Sequence, residues 1–434
     1  MMYDNLSVNE QGKLCFCGLD TTKLCEKYST PLYLLDENKI RARAREYALA
    51  MKKYFTPRSK AYYASKALCF KGIYPIIAEE GLGADIVSLG ELYTAASAGF
   101  DLKNVCFHGN NKTKEAIAFA IEKGVGLFAV DNERELIKID EIAREKGVCQ
   151  DVILRLSPGI DPHTHAKIST GRVDSKFGTA IATGQATELV GVALTKKNVK
   201  LLGFHSHIGS QIFDADPFIT AAKIMIGFMA EVKRRFGFDT KLLDLGGGLG
   251  VRYVESDPVI DYDKATLRIA EAVKAACKAE KVKMPDVILE PGRSIVADAG
   301  ITLYTTEGVK SITGYKNYVS VDGGMTDNPR YTLYQSKYTV INADRANGVK
   351  DFCATLAGCC CESGDLIGED MLFARPEEGD RIAVLTTGAY NYSMASNYNR
   401  VARPPIVIIK DGADRLAVKR ESLDDIIKND TNVF

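Results

Sequence analysis

Between about residues 60 and 295 the chain alternates eight times between a short apolar run and a stretch of helical periodicity. The runs are rich in β-branched residues and end abruptly in glycine or a polar residue, as buried parallel strands do. They are Ala61–Lys66, Ala84–Ser88, Val105–Gly109, Gly126–Asp131, Asp151–Leu156, Leu201–His207, Leu242–Gly246 and Val287–Glu290. Eight such units predict a TIM-type (β/α)8 barrel of the α/β class, and a doubly wound open sheet is the alternative fold.

The stretches between the runs carry the start and stop signals of helices. Residues 133–146 place their apolar side chains on one face, Asn132 and Glu135 resemble a capping box, and Gly147 marks the end. Ser88 and Glu91 repeat the capping signal before a helix predicted over 91–98, and further helices are predicted over 113–123, 218–236 and 263–280.

After about residue 295 the sequence changes character. Runs rich in β-branched residues, such as Arg381–Leu385 and Ile406–Ile409, alternate with turn signals, and no long helical pattern intervenes. These features predict an antiparallel β domain, and the N-terminal segment, with Pro31–Leu35, is expected to supply strands to it. The predicted domains are therefore a barrel over 37–295 and a β-sandwich or β-barrel-like domain made of 1–36 and 296–434.

Composition and charge exclude several classes of protein. Lysine plus arginine equals aspartate plus glutamate, 56 each, so no net charge attracts nucleic acid or an anionic membrane. No apolar run reaches the ~18 residues of a membrane-spanning helix, and the first residues lack the pattern of a signal peptide. The eleven cysteines are odd in number and scattered, which favours reduced thiols in a cytoplasmic protein. They lack zinc-ligand spacing, so no metal is expected.

The ends of the predicted strands carry mostly reactive or phosphate-binding residues. They are Lys66, Asp85, Ser88, His108, Asp131, Arg155, His207, Gly246–Gly248 and Glu290. Ligands of both candidate folds bind at the carboxyl ends of the strands. This set of residues is therefore the composition expected of an active-site rim.

Each motif at these ends also has an ordinary structural explanation. Lys66 is either a partly buried amine able to form a Schiff base or a surface lysine. The glycines over 246–250 either approach a phosphate or form a tight turn. His205 and His207 are either zinc ligands, although no third ligand is near in the sequence, or buried barrel histidines.

Two later motifs are equally open when taken alone. Glu290 and Arg293 either face a cationic ring nitrogen and an anion, or close the barrel with a salt bridge. Cys361 is either a proton donor or a buried structural thiol. The chain has no G-x-S-x-G elbow and no Walker A lysine, which disfavours a serine hydrolase and a nucleotide triphosphatase.

Six motifs follow one another in a recognisable order. They are Tyr63-Ala-Ser-Lys66, His207-Ile-Gly-Ser-Gln211, Gly246-Gly-Gly-Leu-Gly250, Glu290-Pro-Gly-Arg-Ser294, Cys361-Glu-Ser-Gly-Asp365 and Gly388-Ala-Tyr390. The series resembles the barrel-type (fold type III) pyridoxal-phosphate decarboxylases, in particular their diaminopimelate branch, from Pro31 to about Arg403. The resemblance implies pyridoxal 5′-phosphate as the cofactor and an amino acid as the substrate.

The resemblance also implies a role for each matching residue. Lys66 would hold the cofactor covalently, His207 would stack on its ring, and Glu290 would pair with the ring nitrogen. The phosphate would be surrounded by Ser210, Gly246, Gly247, Gly248, Gly292, Arg293 and Tyr390. The distal carboxylate of the substrate would be held by Arg293, Arg330, Tyr334 and Tyr390.

The remaining two implied roles concern a second subunit. Cys361 would donate a proton to the carbanion, and Glu362 would meet the distal ammonium of the substrate. In this family both residues come from the partner subunit, so the resemblance implies a homodimer with shared active sites.

Two features of the sequence distinguish between the possible amino-acid substrates. Relatives of the ornithine type carry Cys-Asp in place of Cys361-Glu362 and lack the arginine that a second carboxylate requires. The stretch Asp161–Gly171, followed by Lys176–Gly178, is typical of the diaminopimelate branch. We therefore expect conversion of meso-2,6-diaminopimelate to L-lysine and CO2, the last step of lysine biosynthesis. The alternatives are a decarboxylase of the ornithine, lysine, arginine or carboxynorspermidine type, or a non-catalytic relative that binds the cofactor.

Overall fold

A computed structural model describes residues 2–160 and 175–432 of the chain. The strands in these ranges are β1 Leu6–Val8, β2 Leu14–Phe16, β3 Leu19–Asp20, β4 Leu32–Asp36, β5 Lys60–Ala64, β6 Gly83–Ile86, β7 Val105–Phe107, β8 Leu127–Val130, β9 Gln150–Ser157, β10 Thr179–Ala180, β11 Val199–His205, β12 Leu242–Asp244, β13 Asp286–Leu289, β14 Gly300–Ile312, β15 Lys316–Val321, β16 Val340–Asn342, β17 Phe352–Ala357, β18 Leu366–Phe373, β19 Arg381–Leu385, β20 Ile406–Lys410 and β21 Ala413–Val418. The helices are α1 Thr21–Tyr28, α2 Glu37–Tyr54, α3 Ile73–Glu79, α4 Leu89–Ser97, α5 Lys114–Glu122, α6 Glu133–Glu145, α7 Gln185–Thr195, α8 Asp216–Phe236, α9 Tyr262–Ala279, α10 Arg293–Val296, α11 Arg330–Tyr334 and α12 Leu423–Ile427.

Contacts divide the chain into two units. The barrel unit consists of Arg41–Gly250 and Val259–Ser294, and the β unit consists of Met1–Ile40, Val251–Pro258 and Ile295–Phe434. The predicted barrel, 37–295, includes Val251–Pro258, which contacts assign to the β unit. The predicted domain boundaries stay a prediction. The segment clusters with the β unit because it binds there. For example, Thr339 donates a hydrogen bond to the carbonyl of Tyr253 at 2.9 Å.

The barrel unit contains a closed ring of parallel strands. In the described residues the order is β5, β6, β7, β8, β9, β11, β12 and β13, and β13 pairs again with β5. Every predicted apolar run lies on one of these eight strands, so the TIM-type barrel is confirmed. The open sheet is wrong, because β8 pairs with β9 and closes the ring. The short β10 adds to the end of β9.

Strand β11 shows how the barrel orients its side chains. A Cβ on Gly203 would lie 1.8 Å from the carbonyl oxygen of Leu242, so only glycine permits the close approach of β11 to β12. Neighbouring residues of a strand face opposite sides. The ring of Phe204 packs on Phe228 of α8, with 5.1 Å between centroids, and His205 faces the other way, into the barrel.

The helix-start signals predicted at Asn132 and Ser88 are confirmed, and a third barrel helix begins with the same kind of cap at Thr113. Asn132 caps α6 by accepting the N–H of Glu135 at 3.0 Å. Ser88 caps α4 and Thr113 caps α5 in the same way. Each cap satisfies one of the amides that a helix N-terminus leaves unbonded. The predicted helices over 218–236 and 263–280 correspond to α8 and α9.

The β unit contains a sheet of mixed direction. Its strand order is β18-β17-β15-β14-β4-β20-β21, and β19 pairs with both β14 and β16. The predicted N-terminal strand is confirmed, because β4 lies between β14 and β20. The prediction that the sheet is antiparallel needs a correction: β15–β17 and β4–β20 are parallel pairs. Parallel neighbours need a long crossover connection, and such connections are invisible in the local turn signals used for the prediction.

The residues with described positions contain no helix whose length and apolarity would suit a bilayer crossing.

Candidate active site

Lys66 lies just beyond the end of the first barrel strand. Strand β5 ends at Ala64, and Lys66 follows in a 3-10 turn over Ser65–Ala67. Its amine lies 3.6 Å from Oδ2 of Asp85, whose side chain is 1% exposed while that of Lys66 is 37% exposed. Burial raises the pKa of Asp85 above its usual value. The amine is therefore accessible at the carboxyl end of the barrel, next to a buried carboxyl group.

Glu290 directly follows β13 and meets two histidines from other strand ends. Nε2 of His108 lies 2.7 Å from its Oε1, and Nε2 of His205 lies 3.4 Å from its Oε2. Burial alone would raise the pKa of Glu290, but the two imidazoles hold it well below the usual value. Burial also lowers the pKa of His205 to about 3. The site thus holds an ionised carboxylate in a buried environment.

Asp244, at the end of β12, completes this group. The ligand-type atoms of His108, His205, Asp244 and Glu290 all lie within 4.8 Å of one another, and all four side chains are buried. No third ligand is near His205 and His207 in the sequence, but three other strand ends bring possible ligand atoms to His205, and His207 is not part of this group. Such a set has the atom types of a metal site, and the expectation of no metal stays a prediction.

His207 lies two residues past β11 and does not join the Glu290 group. The N–H of Gly247 donates to its Nδ1 at 3.3 Å, so a neutral ring carries its proton on Nε2. Burial, followed by the charge of Lys66, lowers the pKa of His207 well below the usual value. A neutral imidazole is therefore favoured, and it could lie against the ring of the implied cofactor without adding a charge there.

The turn over Gly246–Gly248 needs glycine at close approaches. A Cβ on Gly247 would lie 1.9 Å from the carbonyl oxygen of Glu290, and one on Gly248, at φ +129°, would lie 2.2 Å from that of Gly209. The N–H of Gly246 donates to Oδ1 of Asp244 at 2.8 Å. The tight turn is therefore present, and the amides of Gly246 and Gly247 already have protein acceptors.

The buried Arg293 and the half-buried Ser210 form a polar pair in the barrel unit. Arg293, 5% exposed, donates from Nη2 to Oγ of Ser210 at 2.9 Å and from Nε at 3.2 Å. The neighbouring Gly292 is close to the Lys66 turn, because a Cβ there would lie 2.9 Å from Cβ of Ala64. A guanidinium next to a hydroxyl suits a phosphate. Arg293 thus contacts Ser210, another residue predicted to bind the phosphate. The predicted role of Arg293 in substrate binding stays a prediction.

The barrel group fits pyridoxal phosphate. It offers an accessible amine at Lys66, a buried guanidinium and hydroxyl for a phosphate, and an ionised carboxylate for a protonated ring nitrogen. Oε1 of Glu290 also lacks a hydrogen bond of normal geometry within the described part of the chain. An unsatisfied buried acceptor is expected where a bound group completes the site.

The predicted substrate residue Arg330 lies in the β unit at the start of α11. Its guanidinium is stacked near three aromatic rings, at 5.5 Å from Tyr253, 5.7 Å from Tyr334 and 5.9 Å from Tyr390. It is 6% exposed, and its Nε has no hydrogen-bond partner among the residues described. A buried cation with an unused donor is suited to bind an anion.

Cys361 and Glu362 lie on an exposed loop of the β unit between β17 and β18. The N–H of Cys361 donates to Oδ1 of Asn399 at 2.8 Å, and Glu362 accepts the N–H of Gly364 at 3.2 Å. Both side chains are exposed. The alternative of a buried structural thiol is therefore wrong for Cys361.

The specificity stretch Asp161–Gly171 lies outside the described residues. The motif that follows it, Lys176–Gly178, is described, and the ring of Phe177 packs on the guanidinium of Arg155 at 4.4 Å. Asp244 is the functional candidate that sequence reasoning missed. It lies inside the predicted strand Leu242–Gly246 and ends the observed strand β12, so an acidic residue within a predicted buried strand was the available signal.

Comparisons with known proteins identify the family of the chain. The family model described as "Pyridoxal-dependent decarboxylase, pyridoxal binding domain" matches residues 37–297. A diaminopimelate decarboxylase of Bacillus subtilis strain 168 is 43% identical over 424 residues, which cover 97% of this chain and 96% of that protein. One of Bacillus methanolicus is 44% identical over 416 residues, with 96% of each chain covered. The crystal structure of a diaminopimelate decarboxylase from M. jannaschii in complex with L-lysine superposes with a TM-score of 0.90 at 35% identity, covering 99% of this chain and 98% of that chain.

Proposed function

Because the chain belongs to the pyridoxal-dependent decarboxylase family, we propose that it converts meso-2,6-diaminopimelate to L-lysine and CO2 with pyridoxal phosphate as its cofactor. The observation that carries this proposal is the pairing of an accessible amine, Lys66, with a buried and ionised Glu290 in one barrel unit. Relatives that match nearly the whole chain bear the name of this reaction. The proposed reaction is the last step of lysine biosynthesis.

Three barrel residues would hold and orient the cofactor ring. When bound, pyridoxal phosphate supplies an electron sink for the electron pair that the departing CO2 leaves behind. Lys66 would bind the cofactor covalently through Nζ. Glu290 would accept a hydrogen bond from the ring nitrogen and keep it protonated, and the neutral His207 would lie against the ring.

The phosphate would be bound by two donors that already contact each other. Arg293 supplies a guanidinium, and Ser210 supplies a hydroxyl that Arg293 holds in place. Gly248 and Gly292 would let the backbone approach the phosphate without interference from a side chain. Gly246 and Gly247 would lie beside the phosphate and shape the turn around it. Their amides would not be the main phosphate donors, because they already donate to Asp244 and His207.

The substrate would be recognised at both ends. Arg330, with its unused Nε, would bind the distal carboxylate, and Tyr334 and Tyr390 would border that site together with Arg293. Glu362 would meet the distal ammonium. Cys361 would deliver the proton that replaces CO2 at the reacting carbon. We further propose that Cys361 and Glu362 act in the site of a partner subunit, in a homodimer with a cytoplasmic location.

The decisive experiment measures CO2 release from meso-diaminopimelate beside ornithine, lysine and arginine. We expect turnover of meso-diaminopimelate alone, because Arg330 and Glu362 would together require a distal carboxylate and a distal ammonium. Turnover of a substrate with one carboxyl group, and none of meso-diaminopimelate, would assign the chain to another decarboxylase. Cofactor binding without any CO2 release would make it a non-catalytic relative.

A further inference from the structure

Glu290 is flanked by two imidazoles, one for each of its oxygens. His108 approaches Oε1 at 2.7 Å and His205 approaches Oε2 at 3.4 Å. The two rings meet edge to face, with 4.8 Å between their centroids, so each limits the rotation of the other. The exposed fraction of these three side chains is 3% or less. The geometry is therefore one of fixed groups that solvent does not reach.

We propose that His108 and His205 are positioning residues for Glu290: each holds one carboxylate oxygen, and together they fix the direction and the negative charge that Glu290 presents to the ring nitrogen of the cofactor. The inference rests on the proposed function for the identity of the cofactor. It goes beyond that function by giving a role to two residues that contact Glu290.

The distribution of charge in this group supports the proposal. Burial raises the pKa of Asp85, and burial together with the charge of Glu290 raises the pKa of Asp244. Glu290 is as buried as these two, yet His108 and His205 hold its pKa low. Of the three carboxyl groups, only the one that two imidazoles flank has a lowered pKa, because an adjacent cation or hydrogen-bond donor favours the charged form.

The two histidines are close to Glu290 without the angles of normal hydrogen bonds. In the described ranges, both ring nitrogens of His205, Nε2 of His108 and Oε1 of Glu290 lack hydrogen bonds of normal geometry, despite the 2.7 Å between the last two atoms. A buried polar atom without a partner costs about 1–3 kcal/mol. A group of such atoms is retained where a proton or a ligand completes it.

The experiment is a pair of double-mutant cycles. His108→Asn and His205→Asn are made in the parent and in the Glu290→Gln background. Cofactor affinity and the absorption spectrum of the bound cofactor are then measured by titration of the apoprotein. In the parent, we expect each change to weaken cofactor binding about tenfold and to alter the spectrum. In the Glu290→Gln background the same change should have almost no further effect, because the histidines act through that carboxylate.

Phe204→Leu provides the matched control. Phe204 precedes His205 on β11 and packs on Phe228 at the other face of the strand. This substitution should lower the stability of the barrel and leave the spectrum of the bound cofactor unchanged. If weaker packing of β11 were the only cause, Phe204→Leu and His205→Asn would show the same loss of cofactor affinity.

A second measurement needs no cofactor and so separates this inference from the proposed function. In apoprotein labelled with ¹³C at the glutamate carboxyl groups, the Glu290 signal is identified by its loss in Glu290→Gln. We expect it to titrate at a higher pH in His108→Asn and in His205→Asn than in the parent. A parent that binds no cofactor would overturn the proposed function and leave this result standing. Any of three results would overturn the inference: histidine effects undiminished by Glu290→Gln, an unchanged Glu290 titration, or stoichiometric zinc in the purified protein.

Discussion

Oδ2 of Asp85 lies 3.6 Å from the amine of Lys66, and the carboxyl group is almost completely buried while the lysine side chain is partly exposed. Asp85 lies on β6, and Lys66 lies in the turn that follows the neighbouring strand β5. A carboxyl group at this distance stabilises a protonated amine, and its own burial works against ionisation. Asp85 is thus placed to stabilise a positive charge on the Lys66 nitrogen. An imine between Lys66 and the cofactor would carry such a charge when protonated, which is consistent with Lys66 as the proposed covalent anchor.

The first prediction concerns this anchor. Reduction of the purified holoprotein with borohydride should fix the cofactor onto Lys66, because an imine becomes a stable secondary amine. Peptide mapping by mass spectrometry identifies the labelled residue. Lys66→Ala should abolish both the label and the turnover, whereas Lys71→Ala, at an exposed lysine on the following turn, should change neither. A label on any other lysine would refute the assignment.

The second prediction concerns Arg330. Arg330→Met keeps an extended side chain among the tyrosine rings and removes the charge. We expect kcat/KM for meso-diaminopimelate to fall by about 10- to 100-fold, since a hydrogen bond to a charged group is worth about 1.5–3 kcal/mol. Arg375→Met, at an exposed arginine of the same unit, is the control. A kcat/KM that stays at the parental value would remove Arg330 from substrate recognition.

The third prediction concerns Cys361 as the proton donor. Cys361→Ala should slow turnover by about 10²- to 10⁴-fold, the usual contribution of a general acid, and cofactor affinity should stay at the parental value. Cys353→Ala removes another exposed thiol of the β unit and should have no effect. If both variants turn over at the parental rate, the proton comes from another group.

The fourth prediction tests whether active sites are shared. Lys66→Ala and Cys361→Ala are each expected to be nearly inactive. When the two variants are mixed and allowed to exchange subunits, mixed dimers would contain one site with both residues intact. Activity should then recover to about a quarter of the parental rate, because half of the dimers are mixed and half of their sites are complete. Mixtures that stay inactive after exchange, as shown by tagged subunits, would contradict a shared site.

The fifth prediction uses the buried Asp327 of the β unit. Burial raises the pKa of this carboxyl group to about 7, and it accepts hydrogen bonds from Tyr304 and from the N–H of Gly324. The folded state therefore keeps a proton that the unfolded chain releases above its usual pKa near 3.8. The contribution to stability is complete below that value, and it decreases with rising pH by up to about 1.4 kcal/mol per unit until pH 7 is reached.

Denaturant unfolding of the apoprotein between pH 4 and 8 measures this slope. In Asp327→Asn the slope over pH 4 to 7 should be shallower than in the parent, because the amide does not titrate. Asp424→Asn, on an exposed helix, should keep the parental slope. Equal slopes for the parent and Asp327→Asn would show that Asp327 does not retain its proton on folding.

The sequence predicted the parts of the fold that depend on local patterns. Period, length and terminal glycines identified all eight barrel strands, and the caps at Asn132 and Ser88 identified helix starts. Strand ends also pointed to the positions of Lys66 and Glu290, because parallel strands present their carboxyl ends on one side of a barrel.

The remaining features depend on contacts between distant residues. The convergence of His108, His205 and Asp244 on Glu290 arises from the closure of the ring, which no local pattern contains. The two parallel pairs in the β unit were missed for the same reason. Lys66 was expected within a strand, but the chain leaves β5 at Ala64 and turns, because Ser65–Ala67 form a 3-10 turn.

Strand β4 has a consequence for the order in which the nascent chain folds. Its two neighbours, β14 and β20, begin at Gly300 and Ile406, so they leave the ribosome long after residues 32–36 have done so. Most of the barrel unit is synthesised in that interval. The earliest strand of the sheet therefore waits with both edges unpaired and its apolar side chains uncovered, a state that chaperones bind and that promotes aggregation. A ribosome that stalls between Ile312 and Ile406 would release a chain whose barrel sequence is complete and whose N-terminal strand still lacks one of its two neighbours.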